Sequence, residues 1–244
     1  MTAIKRTPHL FLSTTHACSY LPHQTASTLF IDPRFPVTPT LLGDFNRHGF
    51  RRSGDLIYRP HCPGCQACIP VRIPVETFVP SRAQRRTMAY NGDLVVSAHP
   101  AGFDAEHFTL FLRYQDIRHT GGTMANPDPA TYLRFLVGRH SATTFHEFRH
   151  EGALAGVAVV DELPDGLSAV YTFYDPSLIR RGLGTYAILW QIAEARRRGL
   201  PFLYLGYWVK DSDKMAYKAR FRPLEAYRNG RWSPLDGHLH PVVA

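Results

Sequence analysis

The sequence predicts an α/β protein of the α+β kind: a C-terminal α/β domain preceded by a smaller α+β domain that carries a cysteine cluster. Three observations predict it. A strand, a glycine loop, a helix and another strand follow one another between residues 167 and 209, the order of a βαβ unit with parallel strands. Strand-like and capped helical stretches alternate along most of the rest of the chain. Cys62, Cys65 and Cys68 stand at C-x2-C-x2-C spacing between two strand-like segments. The pattern weakens over residues 98–104, which places a boundary between a domain of residues 1–100 and one of residues 101–244.

The elements follow in order. "VTPTLLGDFNRHGF" reads as a short helix capped by Thr38, with Pro39 in its first turn and Gly49 at its end. "DLIYRP" and "PVRIPV" read as strands flanking the cysteine loop. The second alternates Val71, Ile73 and Val75 with Arg72 and Pro74, which predicts an edge strand. "PSRAQRRTMAYNGD" has a capping-box pair, Ser81 and Gln84, and an Asn91-Gly92 stop. "LVVSAHP" is a strand. "DAEHFTLFLRYQDIRHTGG" is an amphipathic helix expected to turn Phe108, Phe111, Leu112 and Ile117 inward, and "PATYLRFLVG" is a shorter one.

Strands follow at "TTFHEFR", "ALAGVAVVDEL" and "LSAVYTFYD", the last two joined by a Pro164-Asp165-Gly166 turn. "RRGLGTYAILWQIAEARRRGLP" is a helix whose Leu183, Tyr186, Ala187, Trp190 and Ala193 share a face, with Gly199 at its end. "FLYLGYWV" is a buried strand, "DSDKMAYKARF" a short helix, and "LEAYRNGRWSPL" a hairpin around Asn229-Gly230.

Composition narrows the function classes. With 44% hydrophobic and 20% charged residues, the 244-residue chain is globular and long enough to bury a core without disulfides. No apolar run is long enough to cross a bilayer, so no membrane partner is expected. "LFL" near the N-terminus is too short for a signal peptide, so the expected location is cytoplasmic, with reduced thiols. A formal net charge of +8 favours a polyanionic partner.

The glycine loop is the first candidate site. Arg180, Arg181, Gly182 and Gly184 open a helix directly after a strand, where free N–H groups and cations attract phosphate. The alternative is a tight turn with surface arginines. This arrangement resembles the acyltransferase fold of the N-acetyltransferase superfamily, whose loop binds the pyrophosphate of an acyl donor. The usual Arg or Gln three residues before the first glycine is here Ile179, which argues against acetyl-CoA.

A second resemblance covers nearly the whole chain. "THACSYLP", "YRPHCPGCQACIPVRI", "PSRAQRR", "TFYDPSLIRRGLGTYAILWQI" and "YLGYWVKDSDKMAYKARFRPLE" resemble the aminoacyl-tRNA–protein transferases, and most closely their bacterial aspartate/glutamate leucyltransferases. The resemblance implies transfer of leucine from leucyl-tRNA to the N-terminal amine of proteins beginning with Asp or Glu, within an N-degron degradation route. An aminoacyl ester is already activated, so the transfer is expected to require no cofactor. The acceptor amine, with an ordinary pKa of about 7.7–8.0, must be neutral to attack, and the tetrahedral oxyanion needs fixed donors.

Under that reading the catalytic candidates are Tyr174 and Asp175 at the end of the strand before the glycine loop, Tyr207 on the next strand, and Tyr217 on the short helix. Asp175 would hold or deprotonate the amine, and Tyr217 would relay a proton to the leaving 3′-oxygen. Trp208, Lys214 and Lys218 join the glycine-loop residues as donor-binding candidates. The alternatives are a turn role for Asp175 and core roles for Tyr207 and Trp208. For the acceptor's carboxylate the candidates are Arg72 and the helical trio Arg82, Arg85 and Arg86, which share a face; Arg82 lies in a first turn, where a cation is disfavoured. Phosphate contact is the alternative for the trio.

Cys62, Cys65 and Cys68 with Cys18 as a fourth ligand, or His16 or His61 as substitutes, are expected either to hold zinc or an iron–sulfur group or to organise the N-terminal domain or sense redox state. Rival functions are an arginyltransferase, a CoA-dependent N-acetyltransferase and a non-enzymatic, metal-dependent RNA-binding module.

Overall fold

The computed structural model describes residues 7–118 and 127–235. In chain order the elements are β1 (Leu10–Leu12), β2 (His16–Ala17), β3 (Thr25–Ala26), β4 (Thr28–Ile31), α1 (Pro39–Arg47), β5 (Arg51–Ser53), β6 (Leu56–Pro60), β7 (Ile69–Pro74), α2 (Arg82–Tyr90) and β8 (Val95–Pro100). Then come α3 (Ala105–Arg118), α4 (Pro129–Leu136), β9 (Ala142–His150), β10 (Ala153–Leu163), β11 (Gly166–Tyr174), α5 (Leu183–Arg197), β12 (Phe202–Trp208), α6 (Asp213–Ala216), β13 (Glu225–Arg228) and β14 (Arg231–Pro234).

The caps form as their residue types dictate. The Thr38 hydroxyl accepts from the Leu41 N–H at 3.2 Å. Ser81 and Gln84 exchange both bonds of a capping box, at 3.3 and 2.8 Å. Asn229 and Gly230 both adopt positive φ, the conformation that a tight β13–β14 hairpin demands.

A mixed eight-stranded sheet runs β14-β13-β7-β12-β11-β10-β9-β8, and a four-stranded sheet runs β1-β4-β6-β5. The large sheet takes β7 and β8 from before residue 100, so the expected boundary at 98–104 falls between two hydrogen-bonded strands, β8 and β9. β11 and β12 are parallel, as the βαβ order requires, but pair only over Gly166–Phe202, Leu167–Leu203 and Ser168–Tyr204. β11 continues to Tyr174 and β12 to Trp208, so the two strands part beyond Ser168 and Tyr204.

Three expectations need correction. β7 is not an edge strand: it lies between β12 and β13. Its β13 pairing is confined to Val71 and Arg72, so Pro70 and Pro74, which lack N–H groups, fall outside that overlap. Ile117 is 66% exposed, because the buried stripe of α3 ends at Gln115; the expected end of this helix, residues 119–122, lies outside the described residues. In α5 Ala193 is exposed, whereas Ile188, Leu189, Ile192 and Ala195 are buried along with Leu183, Tyr186 and Ala187. The helix buries a wider and rotated face.

α5 and β7, β10, β11 and β12 enclose one apolar core. α3 and α4 cover the opposite face of β9, β10 and β11. The small sheet and α1 form a third core with Leu163 and Tyr204 of the large sheet. Polar ties hold this third layer in place. Arg52 of β5 donates twice to Asp161 of β10, at 2.5 and 2.6 Å, with both side chains almost fully buried. Tyr207 donates to the carbonyls of Gly49 and Tyr58 at 2.9 and 3.2 Å.

Removing one partner of a buried ion pair strands the other charge. Asp161→Ala is therefore expected to lower unfolding free energy by about 3–5 kcal/mol, read from urea denaturation. A loss below about 1 kcal/mol, the range of an exposed pair, would show that the layers are not held this way.

Candidate active site

The parting of β11 and β12 creates a gap with a closed end at Ser168 and an open end at Tyr174. At the open end Asp175 caps a short 3-10 segment, Pro176–Arg181, by accepting from the N–H and hydroxyl of Ser177 at 2.9 and 2.7 Å. Gly182 then turns the chain into α5 at φ 60°, a left-handed conformation that favours glycine. The Tyr174 ring lies against Gly184, 3.4 Å from where a β-carbon would stand. Tyr114 packs edge-on to Tyr174 at 5.0 Å. Burial raises the Tyr217 phenol, and the proximity of Tyr174 adds to it. Tyr174, Tyr217, Gly182 and Gly184 thus share one neighbourhood at the start of α5.

Other candidates named from the sequence have different roles. Asp175 is engaged by Ser177 and by Arg113 at 3.0 Å; burial raises its carboxyl, but these partners outweigh it and hold the pKa low. That favours the turn role over a proton acceptor. Arg181 forms a two-bond pair with Asp93, at 2.8 and 2.9 Å, and stacks over Tyr90, so it locks the loop to α2 instead of offering a phosphate contact. Trp208 is buried and donates to the Ala216 carbonyl. Lys218 is buried and donates to the Tyr207 carbonyl at 2.5 Å, so it is not a surface phosphate ligand. The hydroxyl of Tyr207 is committed to its two carbonyls. Arg72 is ion-paired to Glu225 at 2.7 Å and sandwiched between Phe202 and Trp232, at 3.5 and 4.4 Å from their ring centres. It is a packed structural pair, not an open acceptor site.

Arg82, Arg85, Arg86, Arg180 and Lys214 are exposed, and none pairs with a carboxylate among the described residues. They are not scattered. Gln84, next to these arginines, donates to the Arg220 carbonyl at 3.1 Å, and Thr87 of α2 lies 3.8 Å from where a β-carbon on Gly182 would stand. α2 and the glycine loop therefore carry one cationic rim beside the mouth of the gap.

At the closed end sits a group that sequence reasoning missed. Arg51 of β5 reaches across to β11 and donates to the Ser168 hydroxyl and the Ala169 carbonyl, both at 2.7 Å. Burial lowers its pKa from the ordinary arginine value. Burial also lowers the Lys218 ammonium to about 7, with the charge of Arg51 adding to the effect. Tyr20, Tyr58 and Tyr207 are in the same neighbourhood. No motif marked Arg51, because two adjacent arginines in a short strand read as ordinary solvated charge.

The cysteines converge, but not as a cage. Tyr20 and Leu21 N–H groups donate to Cys18 Sγ at 3.4 Å, and the Cys62 thiol donates to the Ser27 carbonyl at 3.6 Å. Burial, joined by the neighbouring Cys62, Cys18 and Cys65, pushes the Cys68 thiol up to about 12. Among the described residues no group of three or more His, Cys, Asp or Glu is placed to hold a metal ion. The Cys62–Ser27 bond ties the loop of residues 61–68 to the segment between β3 and β4.

Comparison with known proteins decides the family. Residues 16–86 match the model for the N terminus of arginine-tRNA-protein transferase, and residues 106–228 match that for its C terminus. The chain is 51% identical over 221 residues to an aspartate/glutamate leucyltransferase of Pseudomonas putida, covering 91% of this chain and 94% of the relative. It is 47% identical over 226 residues to one from Alcanivorax borkumensis, covering 93% of each.

The chain belongs to the arginine-tRNA-protein transferase family.

Beyond this family the fold is shared more distantly. The crystal structure of the C-terminal domain of a protein described as a putative lysylphosphatidylglycerol synthetase from Agrobacterium fabrum superposes with a TM-score of 0.51 at 12% identity, over 82% of this chain and 64% of that one. No described helix of this transferase-family chain is long and apolar enough to cross a membrane.

The buried lysine makes a testable statement about pH. Its folded pKa, about 7, lies below the ordinary 10.5. Between those values the unfolded chain binds more protons than the folded one, so the Lys218 contribution makes stability rise with pH. Lys218→Met removes that slope. Unfolding free energies measured across this window should show wild type gaining on the variant as pH rises; parallel profiles would contradict a buried neutral lysine.

Proposed function

We infer that this protein transfers leucine from leucyl-tRNA to the N-terminal α-amine of proteins beginning with Asp or Glu. The observation that carries the inference is 51% identity, across nine-tenths of the chain, to a leucyltransferase of that name. The C-terminal part works as an acyltransferase: the gap between β11 and β12 receives the aminoacyl end of the donor, and the cationic rim of α2 and the glycine loop receives its phosphates. The reaction balances without a cofactor. The amine lone pair attacks the ester carbon, the carbon–oxygen bond to the tRNA 3′-oxygen breaks, and the amine proton ends on that oxygen. Tyr174 and Tyr217 line the gap where the leaving oxygen would emerge. Position and desolvation supply most of such a rate enhancement. The expected location is the cytoplasm, where leucyl-tRNA is present.

The family as a whole is described by arginine-tRNA-protein transferase, which supports an arginyl donor as the second reading. One assay separates the readings. A Glu-starting peptide is incubated with the protein and either leucyl-tRNA, arginyl-tRNA or acetyl-CoA, and its mass is measured. A gain of one leucine residue from leucyl-tRNA is expected; a gain of arginine or acetyl, or no gain, overturns the proposal.

Donor binding should also be salt-sensitive, because neutralised phosphates release counterions. The triple variant Arg82→Ala, Arg86→Ala, Arg180→Ala is expected to weaken tRNA binding. It should also flatten the dependence of log affinity on log salt by roughly one unit for each phosphate that is no longer neutralised. An unchanged slope would remove these arginines from the donor site.

A further inference from the structure

Arg51 is a half-buried guanidinium without a carboxylate of its own among the described residues. Its hydrogen-bond partners are the neutral Ser168 hydroxyl and Ala169 carbonyl. Asp161 is the carboxylate whose charge reaches it, yet that group already accepts two bonds from Arg52 and one from Thr143, at 2.5–2.8 Å. Two guanidiniums therefore share one anion. Lys218, the nearest buried amine, is pushed toward its neutral form by burial and by Arg51 and supplies no anion. A charge withdrawn from water in this state is costly, and a fold that retains it has a use for an anion there.

The position says which anion. Ser168 is the last β11 residue paired with β12, so Arg51 stands at the closed end of the gap. From Ser168 to Tyr174 is six residues of strand, about 20 Å at ~3.3 Å per residue, long enough to place different substrate ends at the two extremes. The phosphate-bearing donor has its cations at the open end, on α2 and the glycine loop. Taken as whole residues, Arg51, Tyr20 and Tyr58 are half-buried, whereas Tyr207 and Lys218 are buried. Gly206, in β12 at φ 77°, leaves room for the guanidinium: a β-carbon there would stand 3.1 Å from Arg51 Nε.

We propose that Arg51 is the specificity-determining residue for the acceptor, binding the side-chain carboxylate of its N-terminal Asp or Glu at the closed end of the gap between β11 and β12. The inference rests on the acceptor class of the proposed function. A carboxylate one or two methylenes from the α-carbon, held there, directs the neighbouring α-amine into the gap toward the donor ester. A guanidinium fork suits a carboxylate and discriminates against the isosteric amide, which offers no charge. This assignment replaces the α2 arginines and Arg72 as acceptor ligands.

The test uses three peptides identical except for an initial Glu, Asp or Gln, with leucyl-tRNA as donor. Wild type, Arg51→Lys, Arg51→Met and the α2 variant Arg82→Ala, Arg85→Ala, Arg86→Ala are compared. Arg51→Met is expected to lose about ten- to a hundredfold of the Glu-over-Gln preference in kcat/KM, through acceptor KM, with the KM for leucyl-tRNA unchanged. Arg51→Lys should retain part of the preference, and the α2 variant all of it. A Glu-to-Gln ratio that survives in Arg51→Met, or falls in the α2 variant instead, overturns the assignment while leaving the leucyltransferase reading intact. A wild type that modifies none of the peptides overturns that reading itself. If Arg51→Met does not fold, wild-type protein is treated with phenylglyoxal and Arg51 adducts are mapped by mass spectrometry. Protection by the Glu peptide but not by the Gln peptide is expected. Equal labelling under both, or an Arg51 that the reagent never reaches, overturns the assignment, because an acceptor site must be open.

Discussion

The docking of the small N-terminal sheet onto the large sheet, where β11 and β12 part, is the constraint on which the rest depends. Parallel strands that separate expose backbone groups that need partners. Here the partners come from β5. Arg51 takes up the Ala169 carbonyl just beyond the last β11–β12 pair, and Arg52, the next residue and therefore on the other side of the strand, closes onto Asp161. Adjacent residues thus split two tasks: one guanidinium is neutralised and ties the layers together, and the other keeps its charge at the end of the gap. The site belongs to neither half of the chain alone, which is consistent with family matches on both sides of residue 100.

The same constraint explains the polar chemistry around the closed end. Tyr207 is held by the carbonyls of Gly49, just before β5, and Tyr58, in β6, and Lys218 by the Tyr207 carbonyl. Each polar atom positions the next. The cysteine loop between β6 and β7 borders this network through Cys68, which lies close to Tyr20, Tyr58 and Lys218. Packing of that loop therefore bears on the site.

What was legible in the sequence was local. Thr38, the Ser81–Gln84 box, the Asn229-Gly230 turn and the glycine loop before α5 act through neighbours a few residues away, and each formed as its chemistry predicts. The parallel β11–β12 pair followed from the helix between them. Ion-pair partners were not legible, because they come from distant positions. Arg181 meets Asp93, Arg72 meets Glu225, and Arg52 meets Asp161. The sequence shows that an arginine is present but not whether its charge is already matched. For the same reason Lys218, one turn from the exposed Lys214, reads as a second surface cation, whereas the 3-10 turn after α6 carries it inward. Arg51 escaped notice because its importance lies in a missing partner, which only the assembled layers reveal.

The central claim is that the gap between β11 and β12 accepts its two substrates from opposite ends. A crystal structure of the protein with a Glu-starting peptide and a non-hydrolysable leucyl-adenosine analogue tests this most directly. The account predicts the peptide's side-chain carboxylate within hydrogen-bond distance of the Arg51 guanidinium, its amine between the parted strands, and the adenosine on the Tyr174 side near the start of α5. A peptide carboxylate seated on Arg82, Arg85 or Arg86, or an adenosine at the Arg51 end, would contradict it.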